Sequence, residues 1–224
     1  MLTRILSYNI RLGGRGREGA LADVIRASEP DVVVLQEAID AGVVERLARE
    51  TKMEQWASRK GDSLGFLSRL PVQSYGWHKP RMSRHAFLEI HLPGTEARIF
   101  GVHLSAVHAA WTESRRVVEL RALVWLSGGT VRWRTIQVIL DSGYVDGYRA
   151  AHPDVPGFTF PTWDPHARLD YLFLPTRYAA RLVSCEVQDG PRVKEASDHL
   201  PLLSVVEPAD YEQPGILNAP MRVE

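Results

Sequence analysis

The chain has 224 residues and a mass of 25.2 kDa, enough for one large domain or two small ones. Lys+Arg and Asp+Glu both total 27, so the formal net charge is zero, which argues against a protein held to nucleic acid by bulk charge. A single cysteine, Cys185, excludes an intrachain disulfide framework and any multi-cysteine metal site. No apolar stretch approaches the ~18 residues needed to span a bilayer. Met1-Leu2-Thr3-Arg4 runs straight into a strand-like segment without a signal-peptide pattern, so the expected location is cytoplasmic.

In chain order, the β-branched and aromatic residues of 4–10 predict a strand, and a loop with Gly13, Gly14, Gly16 and Gly19 follows it. Residues 20–27 read as a short helix stopped by Pro30. Asp31-Val32-Val33-Val34-Leu35 is a continuous apolar run, the mark of a strand buried on both faces, and it ends at Gln36-Glu37. A helix is expected over 42–52 and short strands over 64–68, 85–91 and 98–103. Thr112 is a plausible N-cap for a helix through residue 126, where Ser127-Gly128-Gly129 stops it. Residues 131–141 fit a helix or a strand. Strands over 169–174, 181–187 and 200–206 close one α/β domain spanning 1–206. Pro208, Pro214, Pro220 and weak periodicity mark 207–224 as a loosely ordered tail.

The N-terminal region supports two readings. Gly14-Arg15-Gly16-Arg17-Glu18-Gly19 matches G-x-G-x-x-G between a strand and a helix, and the next strand ends in an acid, Glu37. That is the layout of a dinucleotide-binding oxidoreductase. Against it, Asn9 to Gly13 displace the glycines from the strand, and no regular run of βα units follows. The glycines themselves read better as a flexible, arginine-bearing surface loop. The second reading uses Ser7-Tyr8-Asn9-Ile10, which ends the first strand in an amide, and Val32-Val33-Val34-Leu35-Gln36-Glu37, which ends the second in a carboxylate. Gly65-Phe66-Leu67-Ser68-Arg69-Leu70-Pro71, Gly101-Val102-His103-Leu104-Ser105, Arg168-Leu169-Asp170-Tyr171 and Ser197-Asp198-His199 follow in that order. The series resembles the endonuclease/exonuclease/phosphatase superfamily, of deoxyribonuclease-I-like fold, over about residues 3–206.

The resemblance implies a four-layer α/β/β/α sandwich and a phosphoester hydrolase dependent on Mg²⁺ or Mn²⁺, for which hard oxygen ligands with open positions are suited. It makes Glu37 the metal carboxylate with Asn9 beside it, and sets Asp198 on the metal or its water network. His199 is the natural general base, since its unperturbed pKa lies near operating pH. Asp170 is implied as its orienting acceptor, and His103 as a second histidine contacting the phosphate, with no carboxylate partner of its own evident. His78, His91, His108 and His152 receive no role, and Arg84 and His85 are minor candidates for substrate contact. Arg168 fits a phosphate ligand or a salt-bridged strand residue, while Tyr171 and the six tryptophans read as packing. Substrates open at this point are nucleic acid, a phospholipid head group or an inositol phosphate. Zero net charge favours a small or lipid-like ester over long duplex DNA.

One signature of that superfamily is absent: a buried strand ending in G-D-x-N between the histidine strand and the R-x-D-Y segment. Only two asparagines occur, Asn9 and Asn218, so none lies between His103 and Asp170. Asp141 and Asp146 belong to the helix end and turn after the missing strand and are given no catalytic role. The expectation is a sheet lacking one central strand, lost in frame around residues 118–126, with reduced activity. The alternative is a catalytically impaired member that retains metal or phosphate binding.

Overall fold

The computed structural model describes residues 2–79, 85–95, 98–103 and 134–207. Its centre is a six-stranded sheet built from β1 (Thr3–Asn9), β2 (Val32–Gln36), β3 (Gln55–Ser58), β4 (Leu64–Ser68), β10 (Leu182–Val187) and β11 (Leu202–Val206), in the order β10-β11-β1-β2-β4-β3. β1 and β2 pair in parallel, joined by α1 (Glu18–Ser28), whereas β11 and β4 flank them antiparallel. This mixed sheet, with its further antiparallel neighbours β3 and β10, lacks the successive parallel βα units of a dinucleotide fold, so the oxidoreductase reading is not supported.

One face of the sheet is covered by α1, α2 (Ala41–Thr51) and α5 (Pro191–Ala196). Leu21, Ile25, Val43, Leu47 and Val193 close there on Leu6, Tyr8, Val33 and Leu35. Asp40 caps α2, accepting from the Gly42 and Val43 N–H groups. The other face meets a three-stranded sheet of β5 (Ser74–His78), β6 (Phe87–His91) and β7 (Arg98–Gly101), where Leu88 and Ile90 pack on Val34, Leu64 and Phe66. All five β2 residues are buried, as the apolar run predicts. A separate two-stranded sheet of β8 (Tyr144–Asp146) and β9 (Phe173–Pro175) lies beside α3 (Arg134–Asp141) and α4 (Gly147–Ala151). Tyr148 of α4 packs on Cys185 and Leu202.

Among the described residues no strand joins β7 to β8. β7 lies over β2, and the Tyr148 cluster lies over β10 and β11. On the face of β1 that carries Asn9, Thr3 and Asn9 are buried while Ile5 and Ser7 are half-buried. The expected helix over 112–126, the expected deletion around 118–126 and all but the first residue of the 207–224 tail lie outside the described residues.

Several elements differ from expectation. The strand expected over 169–174 is reduced to β9, because the Leu169 and Asp170 N–H groups donate to Thr159 Oγ1 instead of a ladder. Residues 134–141 are helix. β3, β5, β8, α4 and α5 were not expected. Of these, α5 carries a legible start, Gly190 followed by Pro191 at the first helical position. The glycine loop is not a flexible surface loop: Gly13 and Gly14 are buried at positive φ, and Arg17 ties the segment down through the Ile10, Arg11 and Ala196 carbonyls. No helix among the described residues is long and apolar enough to cross a membrane.

The two sheets approach closely at Gly101, where an added Cβ would lie 2.7 Å from Val34 Cγ1. Gly101→Ala is expected to destabilise the fold by about 1–3 kcal/mol. Urea unfolding should show this as a lower midpoint at unchanged slope.

Candidate active site

The parallel register pairs Asn9 with Gln36, so the C-terminal ends of β1 and β2 lie side by side and deliver Asn9 and Glu37 to one place. Asn9 Nδ2 donates to Glu37 Oε1 at 3.1 Å, and the Leu12 N–H donates to Glu37 Oε2 at 2.6 Å. Asn9 Oδ1 accepts from the Arg11 N–H at 2.9 Å, and the Glu37 carbonyl from the Gly13 N–H at 2.9 Å. Arg11, Leu12 and Glu37 all have φ near +50°, a conformation costing a side-chain-bearing residue about 1 kcal/mol or more. Three such residues around one carboxylate mark a position that its surroundings enforce.

β11 runs antiparallel to β1, so the residues preceding it arrive at the same end of the sheet. Ser197 Oγ donates to the Asn9 carbonyl at 2.7 Å and accepts from the His199 N–H at 3.3 Å. The Ser197 and Asp198 carbonyls accept from the Thr162 hydroxyl and N–H, which fixes the segment from the other side. Asp170, anchored through Thr159, lies 2.8 Å through Oδ2 from His199 Nδ1, both side chains nearly buried. Asp198 Oδ2 faces Arg11 Nε at 3.4 Å. His103, two residues beyond β7, rests its Nδ1 3.1 Å from Ser63 Oγ, with the His85 ring stacked on it at 5.0 Å.

The electrostatics tie these groups together. Burial pushes the Glu37 carboxyl up, but the Leu12 N–H and Asn9 amide outweigh it with help from His103 and His199, so the acid is held below its ordinary range. Burial pushes His199 down, and the Asp170 charge and hydrogen bond, with Asp198 and Glu37, more than reverse this, so its pKa is raised. His103 is lowered, by burial first and then by His85 and His199, against the opposing pull of Glu37 and Asp170.

Asn9, Glu37, Asp198, His199 and Asp170 thus form one hydrogen-bonded chain through Ser197, and His103 joins it electrostatically. His85 lies against His103, and Arg84 falls outside the described residues. Arg168 is not turned to a ligand: it pairs with Asp146 and lies 4.5 Å over the Tyr171 ring. Asp146 also caps α4, and Asp141 accepts from Gln137 on an exposed helix face. Sequence reasoning missed Arg11, Ser63 and Thr159, none of which lies in a motif of its own. Arg11 could have been noticed as the cation two residues beyond Asn9.

The described residues contain no group of three or more His, Cys, Asp or Glu side chains able to hold a metal. The donor set does fit a hard, hydrated cation. Glu37 is ionised, and each of its oxygens accepts one hydrogen bond from Asn9 or Leu12, which leaves lone pairs free. Mg²⁺ commonly takes only one or two protein carboxylates with waters and substrate phosphate.

No protein-family model matches the sequence, and no curated relative does. Solved structures do match. A 3′ phosphatase, NExo, from Neisseria bound to product DNA hairpin superposes with a TM-score of 0.67 at 17% identity, over 92% of this chain and 99% of that one. An endonuclease/exonuclease/phosphatase family protein from Leptotrichia buccalis gives 0.64 at 16%, and D. rerio TDP2 complexed with single-strand DNA product gives 0.66 at 16%, each with the same two coverages. The fold is that of the endonuclease/exonuclease/phosphatase proteins. The resemblance read from the motifs therefore holds at the level of the fold, across nearly the whole chain.

In metal-free protein the His199 ring is expected to titrate above the ordinary value of 6.5. Asp170→Asn removes the charge that raises it, so the titration should move to lower pH, as followed by histidine NMR signals.

Proposed function

We propose that this chain is a divalent-metal-dependent hydrolase of phosphoesters in nucleic acid, acting near strand ends. The observation that carries the reading is the His199–Asp170 pair set beside Glu37 and Asn9 at the ends of two adjacent strands. A nucleic-acid substrate is supported by two structural neighbours that are bound to DNA products. Zero net charge argues for a short or terminal site of contact over long duplex binding.

Glu37 would hold Mg²⁺ or Mn²⁺, oriented by the Asn9 amide and the Leu12 N–H. When bound, the ion supplies charge neutralisation at the phosphoryl oxygens. His199 has one nitrogen committed to Asp170. Its Nδ1–H donates to that carboxylate, which leaves the Nε2 lone pair to take the proton of an attacking water. The raised basicity of His199 favours proton capture, and Asp170 stabilises the imidazolium that results. Arg11 would place a cation beside Asp198, next to the site where phosphoryl charge gathers.

A second reading keeps the binding but not the turnover. It is favoured by the missing G-D-x-N signature, since loss of one preorganised donor alone costs roughly 10²–10³-fold. A chromogenic phosphodiester and an oligonucleotide bearing a 3′ phosphate, each with and without Mn²⁺, separate the two. Hydrolysis is expected only with metal, and His199→Ala should lower kcat roughly 10²–10⁴-fold. Turnover no greater than that of a Glu37→Ala control, with Mn²⁺ still raising the Tm of the wild type, would select the impaired reading.

A further inference from the structure

The two site histidines are held by different chemistry. His199 Nδ1 faces a carboxylate, which only accepts, so Nδ1 carries the proton and Nε2 is bare. His103 Nδ1 faces a hydroxyl, Ser63 Oγ at 3.1 Å. Ser63 is buried, and among the described residues its hydroxyl has no other partner. If Nδ1–H donated to Ser63 Oγ, the serine proton would be left buried and unspent, at the full desolvation cost of an unmade hydrogen bond. If Ser63 Oγ–H donates instead, both groups are satisfied and the ring proton resides on Nε2.

We propose that Ser63 is a positioning residue that fixes His103 as the Nε2–H tautomer. The two imidazoles then enter the site as opposites, His199 presenting a bare nitrogen that takes a proton and His103 presenting an N–H that donates to a phosphoryl oxygen. The donor role rests on the phosphoester reading, whereas the tautomer does not.

The location of Ser63 is built for this task. The β2–β4 register pairs Gln36 with Leu64, which sets Ser63 opposite Glu37, and the Ser63 carbonyl accepts from the Ala38 N–H at 2.9 Å. Ser63 therefore ties the Glu37 turn to His103. The turn before it is closed by the Asp62 N–H to the Arg59 carbonyl and by the Arg59–Asp62 ion pair at 2.5 Å. The His85 ring stacks on one face of His103. The lowered pKa of His103 agrees with a neutral ring whose Nδ1 accepts.

The test is a long-range ¹H–¹⁵N spectrum of the imidazoles in full-length, ¹⁵N-labelled, metal-free protein. The expected wild-type spectrum has an unprotonated Nδ1 and a protonated Nε2 at His103, and the reverse at His199. Ser63→Ala should mix the His103 tautomers and leave His199 unchanged, and Ser63→Thr should restore the wild-type pattern. On the chromogenic phosphodiester, Ser63→Ala should lower kcat roughly tenfold or more at unchanged KM, with recovery in Ser63→Thr. A wild-type His103 protonated at Nδ1, or a folded Ser63→Ala that keeps the pure Nε2–H form, would overturn the assignment. Should Ser63→Ala fail to fold, the wild-type and Ser63→Thr spectra decide alone. Absence of turnover in the wild type would count against the hydrolase reading, while the spectrum still decides the tautomer.

Discussion

The hydrogen bond from Asn9 to Glu37 depends on one constraint, the parallel pairing of β1 and β2 in a register that ends both strands at the same height. Parallel strands need a crossover, and α1 supplies it, packing on the face away from the site. The antiparallel neighbours then bring their own ends to this edge: β11 begins there, preceded by Asp198 and His199, and β4 begins there, following Ser63. Loops would place these groups less firmly. Here each is tied to the strand ends by hydrogen bonds that leave few alternatives, including those from Ser197 to Asn9 and from Ala38 to Ser63.

The charges follow from this convergence. Three carboxylates, Glu37, Asp170 and Asp198, meet two imidazoles and Arg11 in a half-buried space, where opposite charges interact more strongly than in water. Environment separates the two histidines in opposite directions, one raised by the Asp170 carboxylate in spite of burial and one lowered by burial with a second imidazole beside it. Such divergence between like residues is how a single site presents both a base and a donor near neutral pH. The positive φ angles of Arg11, Leu12 and Glu37 are the backbone cost of aiming their groups inward.

The sequence was most legible where one residue's chemistry and its strand end coincide. The apolar run before Glu37, the amide after the first strand and the Asp-His pair before the last strand all reappear at one edge of the sheet. The short strands β3, β5 and β8 escaped because they carry little alternation and are defined by their partners. Ser63 and Thr159 escaped because a hydroxyl that holds a histidine or a backbone turn looks like any loop residue until the register is known. The glycine loop misled in two ways: its spacing imitates a phosphate-binding turn, and its buried, left-handed glycines serve instead to bring the Leu12 N–H onto Glu37.

No asparagine lies between His103 and Asp170, so the G-D-x-N signature has no bearer in this chain. The site at the strand ends is nonetheless assembled without it, and the central claim is that Glu37 anchors a divalent cation there. Crystals soaked in Mn²⁺ with inorganic phosphate, measured at the manganese absorption edge, test this directly. An anomalous peak is expected within about 2.2 Å of a Glu37 carboxylate oxygen, the direct-coordination range of a hard divalent cation. A strong peak elsewhere on the molecule, or none at saturating Mn²⁺, would contradict it.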